Sequence, residues 1–198
     1  MKSSELPGFK VDVVLKHDDM LPFVRQYLRK RNPVTLFYWL FNLLLFVAVG
    51  FSLFVPEGCM DRLPLFFLGF AFFFLLIPVH ELIHGLGYKI AGARDVSFGV
   101  VWRKLVFYAA ADLFFTPKRA FVGLALAPFI LLNMMLALVV IICPGSSYAW
   151  VSSGALIMHT AGCAGDFALV SYFCENWAAN PAVCDDLENG QTYFYLQE

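Results

Sequence analysis

Four stretches of this chain run for the length of a bilayer crossing with almost no charge in them, which limits the fold more than any other feature. A spanning helix needs about 20 mostly apolar residues, because each adds ~1.5 Å against a hydrocarbon core of ~30 Å. Val34–Val55 is charge-free between Asn32-Pro33 and Pro56, and Leu63–Val79 continues through His80 to about Ile90. Ala120–Cys143 ends at Pro144-Gly145, and Tyr148–Cys174 is interrupted only by His159 and Asp166. The whole chain of 198 residues is 60% hydrophobic and 15% charged, whereas a soluble domain carries about 25% charged residues. That balance excludes disorder and points to a lipid bilayer as the solvent. A net charge of −1 supplies no basic field, so no nucleic-acid partner is expected.

The few charges choose an orientation. Of the 14 Lys and Arg residues, seven precede the first run and six lie from Lys89 to Arg119; Arg62 stands alone in the first-to-second loop. The positive-inside rule then places the N-terminus, the long middle loop and the C-terminus in the cytoplasm. No early apolar stretch resembles a cleavable signal. Lys10–Leu15 alternates as a short strand, and Asp18–Arg31 reads as an amphipathic helix opened by acidic caps and closed by Arg29-Lys30-Arg31, a basic cluster suited to anionic lipid heads. Val96–Phe115 is rich in β-formers and too short to span, which predicts a hairpin.

The five cysteines show no CxxC spacing. Cys59 and Cys143 fall near the outer face, where a disulfide is geometrically open to them; isolated buried thiols are the plainer reading.

His80-Glu81-Leu82-Ile83-His84 stands at the inner end of the second run. Four residues of helix turn through ~400°, so both imidazoles leave one face a single turn apart, as ligands of one metal ion. Glu81 sits beside them as general base toward an activated water, and zinc suits two nitrogens plus a carboxylate. Ionisable groups in a span are costly without such a use; the competing reading is a helix that emerges at Pro78 into solvent. A catalytic site expects a third protein ligand. From Tyr148, Asp166 lies ~27 Å along the fourth run, level with His80 and His84 at ~26 and ~31 Å from Leu63; His159 lies only ~17 Å in, about two turns short. Asp166 is therefore the expected third ligand, with Gly162 and Gly165 letting its helix approach the second. His159 and Asn133 are accessory candidates, either packing between helices or, for His159, donating to an oxyanion.

These residues, with the Val96–Phe115 segment, Ala127-Pro128-Phe129 and Gly165-Asp166, resemble an uncharacterised bacterial family of zincin-type membrane peptidases, similar in turn to the site-2 intramembrane metalloproteases. The likeness runs from about residue 30 onward and departs from the site-2 pattern at Gly165-Asp166-Phe167, where those enzymes place an Asn-Pro-Asp-Gly or Leu-Asp-Gly setting. It implies zinc held by His80, His84 and Asp166, Glu81 as base, a membrane-embedded protein or peptide substrate, and a bacterial cytoplasmic (inner) membrane location.

The expected fold is an all-α membrane protein of four transmembrane helices with a small cytoplasmic-side β hairpin and an N-terminal amphipathic helix. Residues 1–33 form the cytoplasmic strand and helix, 34–174 the four-span domain (about 34–55, 63–90, 120–143 and 148–174), and 175–198 an acidic cytoplasmic tail. The expected function is a zinc-dependent intramembrane or membrane-proximal peptidase. Its rivals are a non-catalytic metal-binding membrane adaptor, and a carrier in which His84 and His159 ligate haem or His159 and Asp166 relay protons.

Overall fold

The computed structural model describes residues 7–16, 19–54, 59–102 and 106–198, with the side chains of residues 59 and 106 left out. The protein is mostly helical. In chain order it comprises β1 (Phe9–Lys16), α1 (Met20–Leu28), α2 (Pro33–Phe54), α3 (Cys59–Ile90), β2 (Val96–Val101), β3 (Val106–Ala111), β4 (Thr116–Pro117), α4 (Lys118–Ile142), α5 (Ser147–Gly162), α6 (Ala164–Glu175), β5 (Ala182–Asp186) and β6 (Gln191–Gln197).

Among the described residues, three helices are long and apolar enough to cross a membrane: Pro33–Phe54, Met60–Ile90 and Lys118–Ile142. Their outward faces are large apolar side chains such as Leu44, Phe51, Leu75, Met134 and Ile141, all well exposed, as lipid contact requires and water does not tolerate. The fourth apolar run departs from expectation. It is two helices, α5 of 16 residues and α6 of 12, and neither alone reaches the ~20 residues of a span. Cys163 joins them with a φ of −69° and a ψ of 12°. Much of this pair is buried, including His159, Cys163, Phe167, Ala168, Tyr172 and Phe173, so it forms the middle of the bundle while α2, α3 and α4 carry most of the outer surface.

The closest contact between the second and fourth runs is also made elsewhere than expected. A Cβ on Gly154 would overlap the Phe66 carbonyl, and one on Gly69 would overlap that of Val151. These two glycines, in α5 and α3, let the backbones touch, the small-residue device of membrane bundles. A Cβ on Gly162 would also press on the Phe73 ring of α3, at 3.1 Å, so Gly162 takes part in this approach as expected, whereas nothing stands within 4 Å of a Cβ on Gly165.

An all-α class is too narrow. Besides the expected β2–β3 hairpin, with Val96 opposite Ala111, there is an antiparallel sheet of order β1-β6-β5-β4. Residues 175–198 are thus folded, and the two terminal strands pair at one end of the bundle. The register of β1 shifts between Val11 and Val13, and Asp12 there accepts a 2.9 Å hydrogen bond from the Tyr172 hydroxyl of α6. Leu15, Phe23, Tyr27, Tyr172, Phe173 and Phe194 pack sheet, α1 and α6 into one core. Helix α1 is shorter than its sequence pattern, and Asp19 at its N-cap makes no side-chain capping bond; Asp18 lies outside the described residues. Cys143, Cys163, Cys174 and Cys184 are free thiols, and the Cys59 side chain lies outside what is described.

Asp185 fastens this sheet to α3. Its carboxylate accepts from Thr192 Oγ1 at 2.7 Å and from the Tyr88 hydroxyl, one turn beyond His84. Its carbonyl accepts from Leu113 N at 2.8 Å. Burial above all, with Asp112 nearby, pushes its carboxyl from an ordinary 3.8 up to about 6. The folded state therefore holds this proton more tightly than the unfolded chain does. Stability contributed below pH ~4 falls as pH rises through ~6, by on the order of 2–3 kcal/mol.

Two measurements check this account. Melting of the detergent-solubilised protein should show Asp185→Asn flattening the decline between pH 4 and 6. Gly154→Ala should lose at least about 1–3 kcal/mol from forced helix separation, while Gly165→Ala leaves the melting temperature unchanged.

Candidate metal centre

The C-terminal half of α3 carries His80, Glu81 and His84, with the two imidazole centroids 4.8 Å apart. Asp166 approaches from the first turn of α6, where unpaired backbone N–H groups and the helix dipole favour a carboxylate. The break at Cys163 creates that first turn; an unbroken helix would have put Asp166 mid-span.

His84 Nε2 lies 3.1 Å from His80 Nε2. Asp166 places Oδ2 3.3 Å from His80 Nε2 and Oδ1 3.3 Å from His84 Nε2. Bonds of about 2.0–2.1 Å from a tetrahedral zinc to N and O ligands imply ligand–ligand separations of about 3.3–3.4 Å. The three side chains already stand near that spacing, and their donor set of two imidazoles and one carboxylate suits zinc. A second trio, His80, His159 and Cys163, also clusters, but its Cys163 Sγ is 3.9 Å from His159 Nε2, which is loose for a shared ion.

The remaining ring nitrogens are engaged too. His84 Nδ1 is 3.1 Å from the Leu124 carbonyl. That carbonyl is free because Pro128, four residues on within α4, has no N–H to return the helical bond. His80 Nδ1 is 3.1 Å from His159 Nε2, and His159 Nδ1 is 2.7 Å from Asn133 Oδ1. His159 is therefore not two turns away from the cluster but in contact with it. Axial counting along a helix measures backbone depth and leaves out the reach of two facing rings, whose centroids are 5.3 Å apart.

Glu81 stands outside the ligand trio and accepts a backbone hydrogen bond from Ala109 of β3. Gly85 makes this approach of the hairpin possible, since a Cβ there would collide with the Phe98 ring. A cavity of about 420 Å³ opens over the cluster. Its floor is His80, Glu81, His159 and Asp166, and its walls are mainly apolar, with Met20 and Leu21 of α1, Phe73, Phe74 and Ile77 of α3, and Phe107 of β3. The structure thus gathers His80, His84, Asp166, Glu81, His159 and Asn133 in one place. Leu124 and Ala109 join through backbone atoms, which side-chain chemistry in the sequence does not announce; only Pro128, inside an apolar helix, signalled a liberated carbonyl.

A family model described as "Putative zincin peptidase" matches residues 73–178, from the cavity wall of α3 through the end of α6. No curated protein and no solved structure is similar to the chain.

Pro128→Ala restores an N–H that competes for the Leu124 carbonyl. Zinc affinity, measured by chelator competition on purified protein, should fall about tenfold, within the range set by loss of a partner behind a metal-bound histidine.

Proposed function

The chain belongs to this zincin peptidase family, and on that premise we propose that it is a zinc-dependent peptidase cleaving a peptide bond of a membrane-embedded or membrane-proximal substrate. One observation carries the reading: three ligand atoms stand at zinc spacing while a fourth ionisable group, Glu81, lies outside the trio yet lines the same cavity. Held by His80, His84 and Asp166, zinc supplies Lewis-acid polarisation of the scissile carbonyl and lowers the pKa of an attacking water toward about 7.

The chain's own groups do the rest. Glu81 takes the proton of the attacking water on its carboxylate and delivers it to the amide nitrogen as the C–N bond breaks. The Ala109 N–H holds that carboxylate in place. The apolar walls accept hydrophobic side chains and exclude bulk water. Leu21 and Phe74 are both cavity-lining and well exposed on the outer surface, which supports entry of substrate sideways from lipid between α1 and α3. Arg25, Arg29, Lys30 and Arg31 beside α1 support contact with anionic lipid and a cytoplasmic placement of this end.

The haem alternative meets a steric objection. His80 stands between His84 and His159, 3.1 Å from each, where a porphyrin would have to pass. The adaptor alternative leaves the cavity and the placement of Glu81 without a use.

Glu81→Gln should retain one zinc per chain and lose cleavage of a transmembrane test substrate by about 10²–10⁴-fold. His80→Ala and Asp166→Ala should lose the zinc itself, read by elemental analysis. Undiminished turnover in Glu81→Gln would falsify the mechanism.

A further inference from the structure

We propose that His159, steered by Asn133, is a positioning residue that holds His80 with its proton on Nδ1 and so leaves Nε2 free for the metal. This rests on the zinc reading of His80, His84 and Asp166.

A neutral imidazole carries one N–H and one lone pair, and a neighbouring hydrogen bond decides which nitrogen has which. Asn133 presents Oδ1 to His159 Nδ1 at 2.7 Å. A carbonyl oxygen only accepts, so His159 carries its proton on Nδ1 and its lone pair on Nε2. That lone pair faces His80 Nδ1 at 3.1 Å and accepts from it. With a zinc ion bound, His80 keeps that Nδ1 proton and turns the Nε2 lone pair to the corner of the trio it shares with His84 and Asp166. The reverse polarity, with His80 Nε2 protonated, would turn a donor toward the metal position.

His159 and Asn133 are both buried, so water does not compete for these bonds. Both ring nitrogens of His159 are engaged within the protein, which leaves no N–H to donate to a substrate oxyanion. The more usual orienting partner of a metal-bound histidine is a carboxylate or a carbonyl. His84 has the carbonyl of Leu124. A carboxylate behind His80 would add a further negative charge near Asp166 and Glu81 in an apolar region, which is costly. A neutral imidazole accepts the same bond without that charge.

The test reads the tautomer of His159 in zinc-loaded protein and the zinc affinity by chelator competition. With ¹⁵N-labelled histidine in detergent micelles, zinc-loaded wild type should show His159 protonated at Nδ1 and unprotonated at Nε2. His159→Leu should weaken zinc binding about tenfold to hundredfold. His159→Gln, whose side-chain carbonyl restores an acceptor, should return the affinity to within about threefold of wild type. The inference is overturned if His159 carries its proton on Nε2, if His159→Leu keeps the wild-type affinity, or if the Gln variant behaves like the Leu variant. Should His159→Leu not fold, judged by melting of the zinc-free protein, the Gln variant decides alone: wild-type behaviour upholds the inference and loss overturns it. Failure of the underlying zinc reading looks different, since His80→Ala and Asp166→Ala would then bind zinc as wild type does. A thiolate charge-transfer band in the cobalt-loaded protein would put the ion on Cys163 and His159 and overturn the positioning role directly.

Discussion

Two imidazoles and a carboxylate held within 3.3 Å of one another, among helices whose other faces are lipid-like, constitute an expensive arrangement for a protein to maintain. Each ionisable group in such surroundings needs a partner, and these three meet that need jointly around one point. Much of the surrounding architecture serves to keep them there. Glycine contacts at Gly69 and Gly154 bring α3 and α5 together at backbone distance. The break at Cys163 then starts a new helix whose first turn presents Asp166 to the pair on α3.

Behind the trio, a second layer is assembled from groups with little chemistry of their own. Pro128 removes one N–H from α4, and the carbonyl left over is the one His84 meets. Asn133 and His159 form a short buried chain that ends on His80. The sheet at the same end of the bundle holds α3 from the other side through Tyr88 and Asp185, so the terminal strands contribute to the placement of the site without touching it. Helix α1 and strand β3 close the cavity over the cluster, one with apolar side chains and the other with a backbone N–H aimed at Glu81.

Much of this was legible in residue order. Apolar runs marked the outer helices, since nothing but a bilayer tolerates such surfaces, and the four-residue spacing of His80 and His84 placed both on one face. Depth along the helix singled out Asp166, and the structure sets it beside them. The same counting set His159 too far from the pair, because it measured backbone depth and left out the reach of two rings that face each other. The β5–β6 hairpin lies in residues expected as an acidic tail, although Asn189-Gly190 between β-forming residues is a strong turn signal. Gly162 does face α3, through the Phe73 ring, but nothing stands opposite Gly165; it is the packing partner opposite a glycine that decides whether its missing side chain matters.

By itself, then, the order of residues determined the lipid-like surface of the helices, the face of α3 that carries both histidines and the identity of the acid that joins them, because hydropathy, helical periodicity and rise per residue are local properties. Tertiary structure alone decided that α5 and α6 are separate helices, that a proline-freed carbonyl and a buried imidazole stand behind the two histidines, and that Gly69 and Gly154 make the closest approach. Those outcomes depend on which groups from distant segments come within 3–4 Å of each other, and distances across a packed interface are set by the shapes of both partners at once.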